Sequence, residues 1–235
     1  VTARSVELVL FDAVGTLIEP VPAAGVVYRD YARRFLPGTI DDEHRDDHRQ
    51  FLLAMKQITD TLRRDRQGRT DEAFEYEFWR QVVRIYFADY SLSDVDQLFD
   101  ELWRHFAIAS HWRVFPDVPP TISELQRRGY RVGIASNFDA RLLEVCQGHP
   151  VLAGIDAVFI SSQLGWVKPA PGFYEQIERT TGLSPERILL VGDDYENDVQ
   201  APRHRGWRAC WLRRTSRTQD EPALRSLTDL LDLLA

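Results

Sequence analysis

The chain has 235 residues, of which 44% are hydrophobic and 28% charged, with a net charge of −7 at pH 7. This is a globular composition, long enough for one large domain or for a core carrying an insertion. The negative balance speaks against non-specific nucleic-acid binding, which needs a basic field, and no apolar run reaches the ~18 residues of a membrane span.

The first element is a strand. Val6 to Phe11 is a short apolar run rich in β-branched residues and ends on Asp12; such a run reads as a buried parallel strand. It begins so close to Val1 that no signal peptide is expected before it. Between residues 21 and 110 the pattern turns helical, with helices expected at roughly 22–36, 42–64, 71–89 and 94–108. Phe74, Phe78, Val82, Ile85 and Tyr86 share one helix face, and Val95, Leu98, Phe99, Leu102, Trp103 and Phe106 share another. Asp71 and Ser93 are placed to cap these two helices.

Strand–helix alternation resumes after Pro116. Strands are expected at Arg131–Ser136, Ala157–Ser161, Ile188–Val191 and Arg208–Leu212, with helices near 119–129, 139–148, 172–182, 198–206 and 222–234. Asp139 reads as a cap for the second of these helices. Repeated β–α–β units imply a Rossmann-like parallel sheet with helices on both faces. The expected fold class is therefore α/β, with an α-helical cap inserted after the first strand. Residues 1–20 and 111–235 would form the core, and 21–110 the cap. Arg203, His204, Arg205, Arg208, Arg213, Arg214 and Arg217 read as solvated surface beside Asp220 and Glu221. Cys146 and Cys210 lack metal-ligand spacing and read as buried thiols of a cytoplasmic protein.

Ligands of open parallel sheets bind at the carboxyl ends of the strands. Asp12, Val14 and Thr16 follow the first strand, and Ser136 and Asn137 the second. Lys168 precedes the fourth strand, which Asp193, Asp194 and Asp198 follow. Carboxylate, hydroxyl, ammonium and an acidic cluster suit phosphoryl transfer. A carboxylate can attack a phosphate ester only where charge is offset, by Mg²⁺ on oxygen ligands and by a lysine. An aspartyl-phosphate intermediate then divides hydrolysis into two easier steps. Lys56 and Lys168 are the only lysines in an arginine-rich chain, so an ammonium at 168 suggests a geometric need.

Four segments carry a family resemblance: FDAVGTL at 11–17, IASN at 134–137, VKPAPGFY at 167–174 and VGDDYENDV at 191–199. Together and in this order they resemble the haloacid dehalogenase superfamily, in the subgroup with a helical cap after the first motif. The resemblance implies Asp12 as nucleophile, with Ser136 and Lys168, assisted by Thr16 and Asn137, on the phosphoryl group. It also implies Mg²⁺ held by Asp12, the Val14 carbonyl, and Asp193 with Asp194 or Asp198. The expected partner is a small phosphorylated substrate.

Val14 departs from the pattern. Phosphatases of this superfamily place there a second aspartate, which protonates the leaving oxygen and then activates water. Valine transfers no proton, and three readings follow. One is a phosphatase for good leaving groups, with His44, His48 or His105 as possible proton sources. Another is a dehalogenase, to whose DAYGT-like motif DAVGT is similar, although such members lack the acidic metal motif kept here. The third is a phosphate- or protein-binding module, resembling relatives described as rhythmically expressed. Tyr28, Tyr31 and Arg34 lie near the first cap helix, where packing and pocket roles both remain open.

Overall fold

In the computed structural model, which describes residues 6–35, 47–59, 61, 66–88, 92–214 and 222–234, the first apolar run forms β1 (Leu8–Phe11). β1 lies between β4 (Arg131–Ser136) and β6 (Ile188–Gly192). With β5 (Ala157–Ile160), β7 (Arg208–Leu212) and β8 (Ala223–Leu224) these make a parallel sheet of order β5-β4-β1-β6-β7-β8.

Both faces of β1 are covered, which explains its unbroken hydrophobicity. Val9 and Phe11 join a core with α5 (Val118–Arg127) and α6 (Arg141–Gln147). Leu8 and Leu10 face the other way, against Phe173, Tyr174 and Ile177 of α9 (Pro171–Thr181). Two four-residue helices, α7 (Pro150–Ala153) and α8 (Ser161–Leu164), flank β5. The α/β expectation holds.

The helical stretch contains α1 (Ala24–Phe35), α2 (Asp47–Ile58), α3 (Glu72–Tyr86) and α4 (Leu92–His105), which enclose a hydrophobic cluster of their own. Asp71 caps α3 as expected, accepting from the Phe74 amide at 2.8 Å. α4 begins at Leu92, so Ser93 falls inside its first turn; the Ser93 side chain lies outside the described residues. Phe78, Val82, Val95, Leu98, Phe99 and Leu102 are buried on the faces that periodicity assigns. Phe78 is 1% exposed, so Phe78→Ala would empty a packed site. The expected cost is about 3–5 kcal/mol, read as a lower urea midpoint with an unchanged slope.

The structure adds a short antiparallel pair, β2 (Ile18–Pro20) with β3 (Trp112–Val114), where chain leaves and re-enters the sheet layer. Three residues per strand are too few to show a period. The helix expected at 198–206 starts earlier, as a π-helical turn over Tyr195–Gln200 followed by α10 (Ala201–His204). Asp194 initiates it by accepting from the Asn197 amide at 3.0 Å.

The single helix expected at 222–234 is also corrected. Leu224 pairs with Leu212 in β8, a 3₁₀ turn spans Leu227–Asp229, and only α11 (Leu230–Leu233) is α-helical. Asp117 overrides the helical pattern by accepting from Ser226 Oγ and the Leu227 amide at 2.9 and 2.8 Å. Cys146 is buried, Cys210 half-buried, and both are free thiols. Among the described residues no helix is long and apolar enough to cross a membrane.

Candidate active site

Register decides what meets at the sheet edge. Phe11 lies opposite Ile134 of β4 and Val191 of β6, so these three strands end side by side. Asp12 follows β1, Ser136 closes β4, and Asp193 follows β6. The Asp12 amide donates to the Val191 carbonyl at 2.9 Å, which carries the β1–β6 pairing up to the carboxylate.

Two glycines make room for the carboxylates. Gly15 turns the loop after Asp12 at φ +86°, where a Cβ would be strained and would overlap the Asp193 carboxylate. A Cβ on Gly192 would overlap the carboxylate of Asp198. Thr16, fully buried, donates its hydroxyl to Asp193 Oδ1 at 3.1 Å.

Lys168 joins the strand ends. Its Nζ donates to Asp12 Oδ1 at 2.7 Å, to Asp198 Oδ1 at 2.6 Å and to the Ala135 carbonyl at 2.9 Å. Burial alone would favour loss of the proton, but the two carboxylates outweigh it and hold the ammonium charged well above its usual range. Asn137 fixes this residue from behind. Its Nδ2 donates to the Lys168 carbonyl at 2.9 Å, and its Oδ1 accepts from the Lys168 amide at 2.7 Å.

Oxygens of Asp12, Asp193 and Asp198 all lie within 4.8 Å of one another. Three carboxylates gather around one ammonium. Asp193 keeps an exposed face, yet partial loss of hydration, then the Asp12 charge, pushes it up to about 6. Burial also pushes Asp198 upward, and Asp12 adds to this against the pull of Lys168. Asp194 stays outside the group, because its carboxylate accepts from the Asn197 amide and side chain at 3.0 and 2.9 Å.

Ser136 is buried at the end of β4, while Val14 is 38% exposed at the mouth of a cavity. This cavity, about 230 Å³, lies between the strand-end loops and the helical layer. Tyr28 lines it, whereas Tyr31 bonds His105 Nδ1 at 3.1 Å and Arg34 packs over the Tyr31 and Phe35 rings. His105 is buried against His111; burial, then the His111 charge, pushes it down to about 4. It is a neutral imidazole at pH 7, unsuited to protonate a leaving group. His44 and the His48 side chain lie outside the described residues.

Sequence reasoning missed three sets of pairings. Arg214, read as solvated surface, donates to the Thr16 carbonyl at 2.7 Å, to the Gly15 carbonyl at 3.4 Å and to Asp117 Oδ2 at 2.8 Å. Arg205 of the same stretch pairs with Glu178 at 2.8 Å and Glu175 at 2.9 Å. Asp139, expected as a helix cap, accepts from the Arg141 amide at 3.1 Å and holds the Arg141 guanidinium through two 2.7 Å bonds. Only the Arg-rich composition hinted at these pairings; the partners are remote in sequence or buried.

The same arrangement of strands and helices recurs in known proteins. A haloacid dehalogenase-like hydrolase domain-containing protein 3 from Danio rerio is 27% identical over 212 residues, spanning 89% of this chain and 86% of that protein. A HAD phosphatase from Thermococcus onnurineus superposes with TM-score 0.68 at 24% identity, over 97% of each chain. A 2-haloacid dehalogenase from Pseudomonas syringae pv. Tomato superposes with TM-score 0.66 at 21% identity, over 97% of this chain and 98% of that one. At such identities the two structural likenesses concern the fold. The family model for haloacid dehalogenase-like hydrolases matches residues 6–206, from just before β1 to just past α10, and the chain belongs to that family.

Proposed function

We propose that this hydrolase is a phosphatase acting on a small phosphorylated substrate through an aspartyl-phosphate intermediate. The observation that carries the reading is the Lys168 ammonium held between Asp12 and Asp198, with Asp193 alongside. Asp12 attacks phosphorus, and Lys168 and Ser136 bind the phosphoryl oxygens. Thr16 and Asn137, whose polar atoms are engaged within the protein, hold Asp193 and Lys168 for that task. Residues 21–110 act as a cap over a core of 1–20 and 111–235. Their separate hydrophobic cluster and the β2–β3 pair at the junction support this division.

A hard divalent cation fits the donor set, since oxygens of three carboxylates converge within 4.8 Å of one another. Asp12, Asp193, Asp198 and the Val14 carbonyl would hold Mg²⁺, and Asp194 would support the adjoining turn. When bound, the cation supplies positive charge that offsets the nucleophile and the phosphoryl oxygens. Mg²⁺ is expected to raise the unfolding temperature of the wild type in proportion to log concentration, and to leave Asp193→Asn nearly unmoved. Equal shifts in both proteins would refute the site.

Dehalogenation is the second reading, favoured by Val14 and by the apolar cavity beside it. Metal-independent chloride release from 2-chloropropionate, without phosphate release from acetyl phosphate, would establish it over the first. Tight phosphate binding with neither turnover would indicate a binding module.

A further inference from the structure

We propose, resting on the phosphatase reading above, that the substrate is a phosphate monoester of an apolar aromatic phenol or enol whose ring occupies the cavity beside Val14. The phosphoryl site and the cavity adjoin. Asn137, which holds Lys168, and Val14, two residues past Asp12, both line the cavity wall. A leaving group on a phosphorus at Asp12 therefore enters this space.

The wall sets the chemistry. Tyr28, Phe51, Trp79, Phe99, Trp103 and Phe106 face the space from the helical layer. A cavity of about 150 Å³ lined by apolar side chains holds a benzene ring. At about 230 Å³ this one admits more than a single ring.

Among the described residues Arg141 is the one cationic side chain on the wall, and its charge is already matched. Asp139 binds it through two 2.7 Å bonds, and its guanidinium lies 3.5 Å from the Trp103 ring centroid. The Asn137 amide is engaged with the Lys168 backbone on both of its ends. A sugar or a second anionic group would lose its hydration here and find few partners. An apolar ring loses nothing of that kind.

Val14 points to the same substrate class independently. Without a proton donor at this position the bond that breaks must release a stable anion. Asp12 Oδ attacks phosphorus and the P–O(aryl) bond breaks. Its electron pair leaves on the aryloxide, which takes a proton from solvent. Water then cleaves the aspartyl phosphate, returning the carboxylate and inorganic phosphate. Phenols and enols leave in this way, whereas alkoxides need the missing acid.

Phenyl and 1-naphthyl phosphate have leaving groups of similar acidity and differ in apolar bulk. Wild-type kcat/KM is expected to favour the naphthyl ester by about tenfold, with 1-naphthol a competitive inhibitor. On Asp12→Asn, which needs no turnover for the measurement, 1-naphthol is expected to bind as tightly as on wild type. Ala24→Trp, which fills the cavity, should lower the naphthyl-to-acetyl phosphate ratio of kcat/KM at least about tenfold. Equal kcat/KM for the two aryl esters, or no 1-naphthol binding to wild type while acetyl phosphate is hydrolysed, would overturn the inference alone. Binding of 1-naphthol without phosphate release from any ester would overturn the phosphatase reading, and the substrate class with it.

Discussion

Asp12→Asn is expected to abolish phosphate release from every substrate, by on the order of 10⁴-fold or more, while leaving the protein folded. Loss of a nucleophile removes the pathway itself, and residual rates then reflect binding and electrostatics alone. A proton donor is worth only about 10²–10⁴-fold, so the two kinds of defect are separable by size. The amide is isosteric, and Lys168 keeps its bonds to Asp198 at 2.6 Å and to the Ala135 carbonyl at 2.9 Å. Circular dichroism should therefore match wild type. The charge removed is one that pushes Asp193 upward, so Asp193 should ionise more readily in the variant. Incubation with acetyl phosphate should yield a mass increase of one phosphoryl group on the wild type trapped at low pH, and none on Asp12→Asn. Equal phosphate release by the two proteins would remove Asp12 from the role of nucleophile.

What could be read ahead of the structure followed from period and position. β1 is apolar on both faces because both are covered, so its run of hydrophobic residues announced a buried parallel strand. The carboxyl-end rule then located Asp12, Ser136 and Asp193 at one edge, where the β1–β4 and β1–β6 registers bring them. The choice between Asp194 and Asp198 was not legible. Both follow β6, and only the turn geometry shows Asp194 spending its oxygens on Asn197 while Asp198 reaches Lys168. Arg214 was misread for a related reason. Its partners, the Thr16 carbonyl and Asp117, are 198 and 97 residues away, and nothing local distinguishes it from its solvated neighbours. The C-terminal segment has helical spacing, yet Asp117 and the β7 edge offer stronger bonds than another turn of helix would.

Val14→Asp is expected to raise kcat on alkyl phosphates by about 10–10³-fold and to change kcat on acetyl or aryl phosphates little. The new carboxyl would stand two residues beyond Asp12 at a position 38% exposed, so desolvation alone would not exclude it. It would also be the fourth carboxyl near Asp12, Asp193 and Asp198, where burial and then the Asp12 charge already push Asp193 up to about 6. Like charges disfavour ionisation, which keeps a fraction of the new group protonated near neutrality, as a general acid requires. The same change should work against apolar esters. Val14 lines the aromatic cavity, and a carboxylate there would draw water to its mouth. KM for 1-naphthyl phosphate is thus expected to rise while kcat for alkyl esters increases. That divergence separates the two roles assigned to this one position: a missing proton donor and an apolar wall. An increase in kcat of the same size on aryl and alkyl esters would mean that protonation of the leaving group does not limit the wild type. No change on either would mean that another group already delivers the proton.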